Sequence, residues 1–315
     1  MTERFPTSLL FVPAHDARLR RKAATLTQQA IVLDLEDSVP LSEKTAARDG
    51  VLDFLSQSPG QVFVRINPLS AATSFSAAFG VTDLTAIVAP GLRGIVLPKT
   101  QSASEVRQVD EFLSARELAI GVAVGTIELL ATVETARGIM ELRSIVEAAP
   151  GRRYRLCFGA GDFATDLHVE WSNMEEESRT ARSLLVIASR AGSLPPPIDS
   201  VFPHVSDSEG LARSTRAARA LGFKSKFVIH PSQIAIVDEL LRPTAHEIDW
   251  ARRVITGMQA AERDQRGAFT LNGRLIDYPI VAYAREVLTA AEVSVDGDLI
   301  TFEGDRKVEE GARTH

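Results

Sequence analysis

The 315-residue chain holds one cysteine, two tryptophans and three tyrosines. A single thiol excludes an internal disulfide and any cysteine-rich zinc site. Cys157 sits inside the apolar run "YRLCFGA" and reads as a core residue. No uninterrupted apolar run approaches the ~18 residues of a transmembrane helix. The opening "MTERFPTSLLFVPAHD" has too short an apolar stretch for a signal peptide. Positive charge is not in excess: 35 Lys and Arg stand against 41 Asp and Glu, a net charge of −6. That balance argues against a general nucleic-acid binder. No Walker motif, G-x-S-x-G elbow, zinc-spaced histidine pair, fixed-period repeat or low-complexity linker is present. The expectation is a cytoplasmic protein with neither a membrane nor a nucleic acid as partner.

What is present is a recurring short apolar run. Eight occur, at residues 8–13, 30–37, 61–67, 94–99, 127–134, 153–162, 198–203 and 225–231. Most are continuous rather than alternating, as in parallel strands buried on both faces. Helix-like segments fall at 16–29, 42–56, 102–116, 135–149, 174–192 and 206–222, the last two stopping at Gly192 and Gly222. Further candidates span 234–241, 244–265 and 281–293. This alternation predicts an α/β chain, a (β/α)8 TIM barrel with a C-terminal helical extension or lid. A doubly wound open sheet is the alternative, because periodicity does not show closure. The expected division is a barrel over 1–242, an extension and lid over 243–303, and a frayed tail over 304–315.

Working groups in such barrels project from the C-terminal ends of the strands. Those positions hold Glu36 and Asp37 on strand two, Arg65 and Asn67 on strand three, and Lys99 on strand four. Strand five ends in Glu134, strand six in Asp162 and strand eight in His230. Carboxylates from separate strands can supply oxygen ligands to one hard cation such as magnesium. Each residue also has a plainer reading. Glu134 or Asp162 can serve a helix N-terminus. Arg65 can pair structurally with the acidic stretch Asp34–Asp37, and Lys99 and His230 can be supporting residues. The stretch "GAGDFA" (159–164) fits a dinucleotide fingerprint, but the acids about twenty residues on lie in a helical segment rather than at a strand end.

Eight pieces occur in order over residues 8–291: "SLLFVPA", "VLDLEDSVP…EK…AR", "VRIN", "GIVLPK", "VETARGI", "FGAGDFATDL", "GFKSKFVIHPSQI" and "LIDYPIVAYAR". In this set the chain resembles the citrate lyase beta subunit-like proteins of the HpcH/HpaI aldolase/citrate lyase group. The resemblance implies a (β/α)8 barrel with a C-terminal extension, assembled as trimers or hexamers. It implies magnesium and the making or breaking of carbon–carbon bonds in acyl-CoA thioesters of hydroxy acids, such as citramalyl-, malyl- or citryl-CoA. The metal carboxylates would be Glu134 and Asp162, and Arg65 would hold the substrate carboxylate. Glu36 and Asp37 would orient Arg65 or metal-bound waters. Asp277 would be a lid aspartate reaching a neighbouring subunit's site, and Lys22 and Phe11 would lie on the CoA side.

Two departures bear on this. Acyl-CoA-using relatives usually carry "PGNR" or "PGSR" after the first strand, where this chain has Ala14, His15 and Asp16. An acid there would repel a nucleotide phosphate. Gly161 stands where relatives usually have an acid. Three readings follow: a magnesium-dependent lyase of a 3-hydroxyacyl-CoA yielding a 2-oxo acid, a CoA-independent aldolase of free 2-oxo acids, or a non-catalytic ligand-binding relative.

Overall fold

A computed structural model describes residues 5–26, 29–57, 61–69, 79–291 and 293. The chain divides into two compact units, Met1–Leu241 and Arg242–His315.

The first unit is a closed barrel of eight parallel strands in sequence order. They are β1 (Ser8–Pro13), β2 (Ala30–Asp34), β3 (Val62–Arg65), β4 (Leu92–Leu97), β5 (Glu128–Val133), β6 (Tyr154–Phe158), β7 (Ile198–Asp199) and β8 (Ser225–Val228). β1 closes the ring on β8 through Leu9↔Phe227. All eight expected strands are present, and the open-sheet alternative falls. Continuous apolar composition has a direct cause here. Ile31 and Leu33 of β2 pack outward under the helices, while Ala30 and Val32 of the same strand face the barrel interior. That interior is one small cluster to which every strand contributes: Leu9, Val32, Phe63, Val96, Leu130, Cys157, Ile198 and Phe227. Cys157 is fully buried in it, and burial raises its thiol pKa well above the usual value.

The surrounding helices are α1 (Ala17–Ala24), α2 (Lys44–Gln57), α3 (Gly80–Ile87), α4 (Ala103–Ala119), α5 (Ala136–Met140), α6 (Leu142–Val146), α7 (Ala160–Asp166), α8 (Arg179–Ala191), α9 (Ser208–Leu221) and α10 (Pro231–Leu241). Local chemistry sets their ends. Ser102 opens α4 with a capping box to Glu105. α9 stops at Gly222, whose φ of 117° suits only glycine. Three expectations need correction. α1 ends at Ala24 rather than running to residue 29. The segment 135–149 is broken at Glu141 into α5 and α6. The apolar run 153–162 is a strand only to Phe158, and Asp162 lies on the first turn of α7.

The second unit contains α11 (Ala245–Arg263), a hairpin of β9 (Phe269–Leu271) and β10 (Arg274–Ile276), and α12 (Tyr278–Ala290). α11 and α12 share a core of Val254, Ile255, Met258, Val281, Ala284 and Leu288. The hairpin turns at Asn272 and Gly273, both at positive φ, a signal in the sequence that the helical reading passed over. Residues 294–315, which include the expected tail, lie outside the described residues. Among the described residues no helix is long and apolar enough to cross a membrane.

Candidate active site

The two-residue period of a strand carries the interior face upward to the C-terminal mouth. Above Leu9 comes Phe11, above Val32 comes Asp34, above Phe63 comes Arg65, and above Leu130 come Thr132 and Glu134. The apolar interior thus gives way to a ring of charge.

Arg65 is the hub. Its Nε and Nη2 each donate to Asp34 at 2.7 Å, a bidentate pair. Its Nη1 lies 2.9 Å from Glu36 Oε2, and its guanidinium stacks over the Phe11 ring at 4.8 Å. Asp34 is further wrapped by its own loop, accepting from the Glu36 N–H at 2.9 Å and the Ser38 hydroxyl at 2.5 Å. Burial alone would raise the Asp34 pKa; the Arg65 charge and hydrogen bonds outweigh it and hold it at about 2. The three carboxylates of "DLED" therefore have different surroundings. Asp34 clamps Arg65, Glu36 is buried between two cations, and Asp37 is exposed.

The second cation is Lys99. Its Nζ lies 2.5 Å from Glu36 Oε1, 3.2 Å from Asp37 Oδ2 and 3.5 Å from Asp162 Oδ1. Its backbone N–H donates to Glu134 Oε1 at 2.7 Å. One residue thereby links four carboxylates drawn from three different segments of the chain. Glu134 is 3% exposed. Burial first, then the charges of Asp162 and Glu36, push its pKa up to about 8 against the opposing pull of Lys99. Burial likewise raises Glu36 despite Arg65 and Lys99. Glu134 does not cap the helix that follows it. Thr135 does, accepting from the Gly138 N–H, and Asp166 accepts from the Ala136 N–H at 2.7 Å. Asp162 makes no capping bond to α7, whose N-cap position is Gly159.

Under this ring lies a shell of which sequence reasoning singled out only Asn67, as a rim residue. Lys44 Nζ donates to the carbonyls of Leu35 and Glu36 and to Asn67 Oδ1, at 2.6, 2.7 and 2.8 Å. Asn67 in turn donates to Asp83, which pairs with Arg48 at 3.0 Å. These buried groups fix the backbone that presents Glu36. Asn67 belongs to this shell rather than to the open rim. The signal was the "EK…AR" pair in α2, already visible but without an assigned partner.

Other candidates stand apart. Phe11 lies beneath Arg65 and against Phe227, with ring centroids 4.9 Å apart. Lys22 is exposed on the last turn of α1. Asp16 caps the same helix, accepting from the Arg18 and Leu19 N–H groups at 2.8 and 3.0 Å. His230 Nδ1 lies 2.8 Å from the Ser232 hydroxyl and accepts from its N–H, at the start of α10. Asp277 is in the second unit, at the N-cap position of α12 without a capping bond, and its Oδ1 is buried with no hydrogen-bond partner among the described residues.

A parallel eightfold barrel with an ionic cluster of acids, an arginine and a lysine at its C-terminal mouth defines the chain as a (β/α)8 barrel of enzyme type. The model of the HpcH/HpaI aldolase/citrate lyase family matches residues 7–231, and the chain belongs to that family. It is 34% identical to the citrate lyase subunit beta of Escherichia coli K12, over 91% of this chain and 93% of that one. It is 32% identical to the mitochondrial citramalyl-CoA lyase of Mus musculus, over 90% and 85%. Among solved structures, the protein CitE of Mycobacterium tuberculosis, in complex with magnesium, acetoacetate and coenzyme A, is 30% identical. It superposes with a TM-score of 0.72 over 91% of this chain and 98% of that one.

Proposed function

We propose that the chain is a magnesium-dependent carbon–carbon lyase. It cleaves, or in reverse condenses, a 3-hydroxyacyl-CoA such as citramalyl-, malyl- or citryl-CoA, giving a 2-oxo acid and an acyl-CoA through an enolate. The family and its lyase relatives support this, as does the magnesium and coenzyme A bound by the mycobacterial protein. The observation in this chain that carries it is the buried Glu134 carboxylate, held by the Lys99 N–H at the barrel mouth while the Lys99 ammonium meets Glu36 and Asp162.

The donor set suits magnesium. Among the described residues no three His, Cys, Asp or Glu side chains gather to hold a metal alone. Magnesium typically takes one or two carboxylates and keeps its waters, so Glu134 and Asp162 suffice. Gly159 leaves the space: a Cβ there would collide with the Glu134 carboxylate. When bound, the ion would polarise the oxygen that becomes the product carbonyl.

The side chains supply the rest. Arg65 has five N–H donors. Two are committed to Asp34, and Nη1 forms an ion pair with Glu36. The others are available to the substrate carboxylate, and the clamp keeps the fork from turning. Glu36 and Asp37 hold the cationic groups in register. Asp277, supplied by a neighbouring copy in a homotrimer or hexamer, transfers the proton. Phe11 and Lys22 serve the CoA side. A cytoplasmic location belongs to the same proposal.

One observation favours a second reading, a CoA-independent aldolase of free 2-oxo acids. Asp16 places a carboxylate at the N-cap of α1, in the segment expected to meet the nucleotide. A cleavage screen of hydroxyacyl-CoA thioesters and free hydroxy-oxo acids, with magnesium and with EDTA, separates the two. Release of pyruvate, glyoxylate or oxaloacetate from a thioester only with magnesium is the expected result. No turnover of any thioester would refute the proposal, and turnover of free acids alone, unchanged in Lys22→Ala, would establish the second reading.

A further inference from the structure

Lys99 does more than balance charge, and its backbone shows why. It is a non-glycine residue with φ 49°, in the left-handed region that a side chain with a Cβ adopts only under constraint. Thr100 fixes the turn, fully buried and donating its N–H to the Thr132 carbonyl at 2.9 Å. This geometry aims the two donors of Lys99 in different directions. The N–H takes Glu134, while Nζ enters the space among Glu36, Asp37 and Asp162. The lysine side chain is 10% exposed, so these contacts are poorly screened. An ammonium amid three carboxylates from two segments occupies the setting a hard cation would take.

We propose that Lys99 is an internal counter-cation. Its ammonium holds the carboxylates together while no metal is bound, and it competes with the divalent ion that Glu134 and Asp162 would take, withdrawing from Asp162 when that ion enters. The inference rests on the magnesium reading of those two residues. It makes Lys99 a positioning residue that sets metal affinity and keeps the carboxylates from repelling one another apart, rather than a group acting on substrate. Its left-handed turn keeps the N–H on Glu134 whichever way the side chain points, so the ammonium can leave without releasing the ligand.

Magnesium binding to the purified full chain, measured by calorimetry, tests this alongside melting with and without the ion. Lys99→Met is expected to bind magnesium about tenfold more tightly, the order of effect of removing one like charge from a partly buried cluster. It should also melt lower without metal and gain more on adding it. Lys99→Arg, which keeps the charge, should bind like the parent. A folded Lys99→Met with unchanged or weaker binding would overturn the proposal. A second measurement needs no variant. Reductive methylation of the parent protein, read by mass spectrometry, should label Lys99 faster with saturating magnesium; equal or slower labelling would reject the exchange. If the parent shows no saturable magnesium binding at all, the metal reading of Glu134 and Asp162 fails first.

Discussion

Replacing Asp34 by asparagine keeps the shape of the Arg65 clamp and removes its charge. The gap between about 2 in the folded chain and 3.8 for an ordinary aspartate corresponds to about 2.5 kcal/mol of stability at neutral pH. Asp34 is 1% exposed, so solvent screening takes little of this away. Asparagine also leaves a buried guanidinium with one carboxylate instead of two, and breaking a buried pair costs about 3–5 kcal/mol in comparable cases. Asp34→Asn should therefore lose about 3 kcal/mol, or roughly 6–12 °C in Tm for a unit of this size. Urea unfolding followed by circular dichroism measures it. The sign of the pH dependence is fixed: a depressed carboxylate stabilises fully above its unfolded value and loses that stability as pH falls through its folded one. The advantage of the parent over Asp34→Asn should be complete at pH 6 and about half gone at pH 3. A variant within about 0.5 kcal/mol of the parent at neutral pH, or a difference that does not shrink in acid, would refute the assignment of Asp34 as the clamp.

Asp162→Ala should abolish magnesium-dependent turnover with an unchanged circular dichroism spectrum, because its side chain makes no capping bond to α7; retained turnover would remove it from the metal shell. Asp277→Asn should stop turnover while leaving magnesium affinity within about twofold, as expected of a proton-transfer group distant in sequence from the ligands; full activity would reject that role. Gly159→Ala should drive the Glu134 carboxylate from its cradle and weaken magnesium binding at least tenfold, the scale of a displaced ligand; parent-like binding would show that Glu134 is held elsewhere.

The barrel was legible because its strands are buried on both faces, so eight apolar runs stand out from the amphipathic helices between them. Legibility failed where local sequence pulls two ways. In "LCFGAGDFA" the apolar character continues past Phe158, yet Gly159 turns the chain and α7 begins at Ala160, which puts Asp162 on a helix. The eight-residue α3 carries too few turns to show a period, and it was missed. At the mouth, the strand-end reading named Arg65 and Glu134, and both stand at the ends of β3 and β5. It named Lys99 only as a supporting residue and could not show its reach, which depends on a left-handed backbone angle that composition does not encode. Nor could it show that Asp34 rather than Glu36 provides the bidentate clamp, because that depends on which carboxylate lies level with the guanidinium across the β2–β3 register Asp34↔Arg65.

The lone thiol of Cys157 faces the sealed interior to which all eight strands contribute. A maleimide or disulfide reagent meets nothing to react with while the staves stay paired. β7, only two residues long, pairs with β6 at the register position Cys157↔Ile198. That narrow seam is where the ring has least to hold it, and it runs past the sulfur. Time-resolved alkylation of the native protein is therefore a natural clock for the opening of the barrel, with no engineered label required.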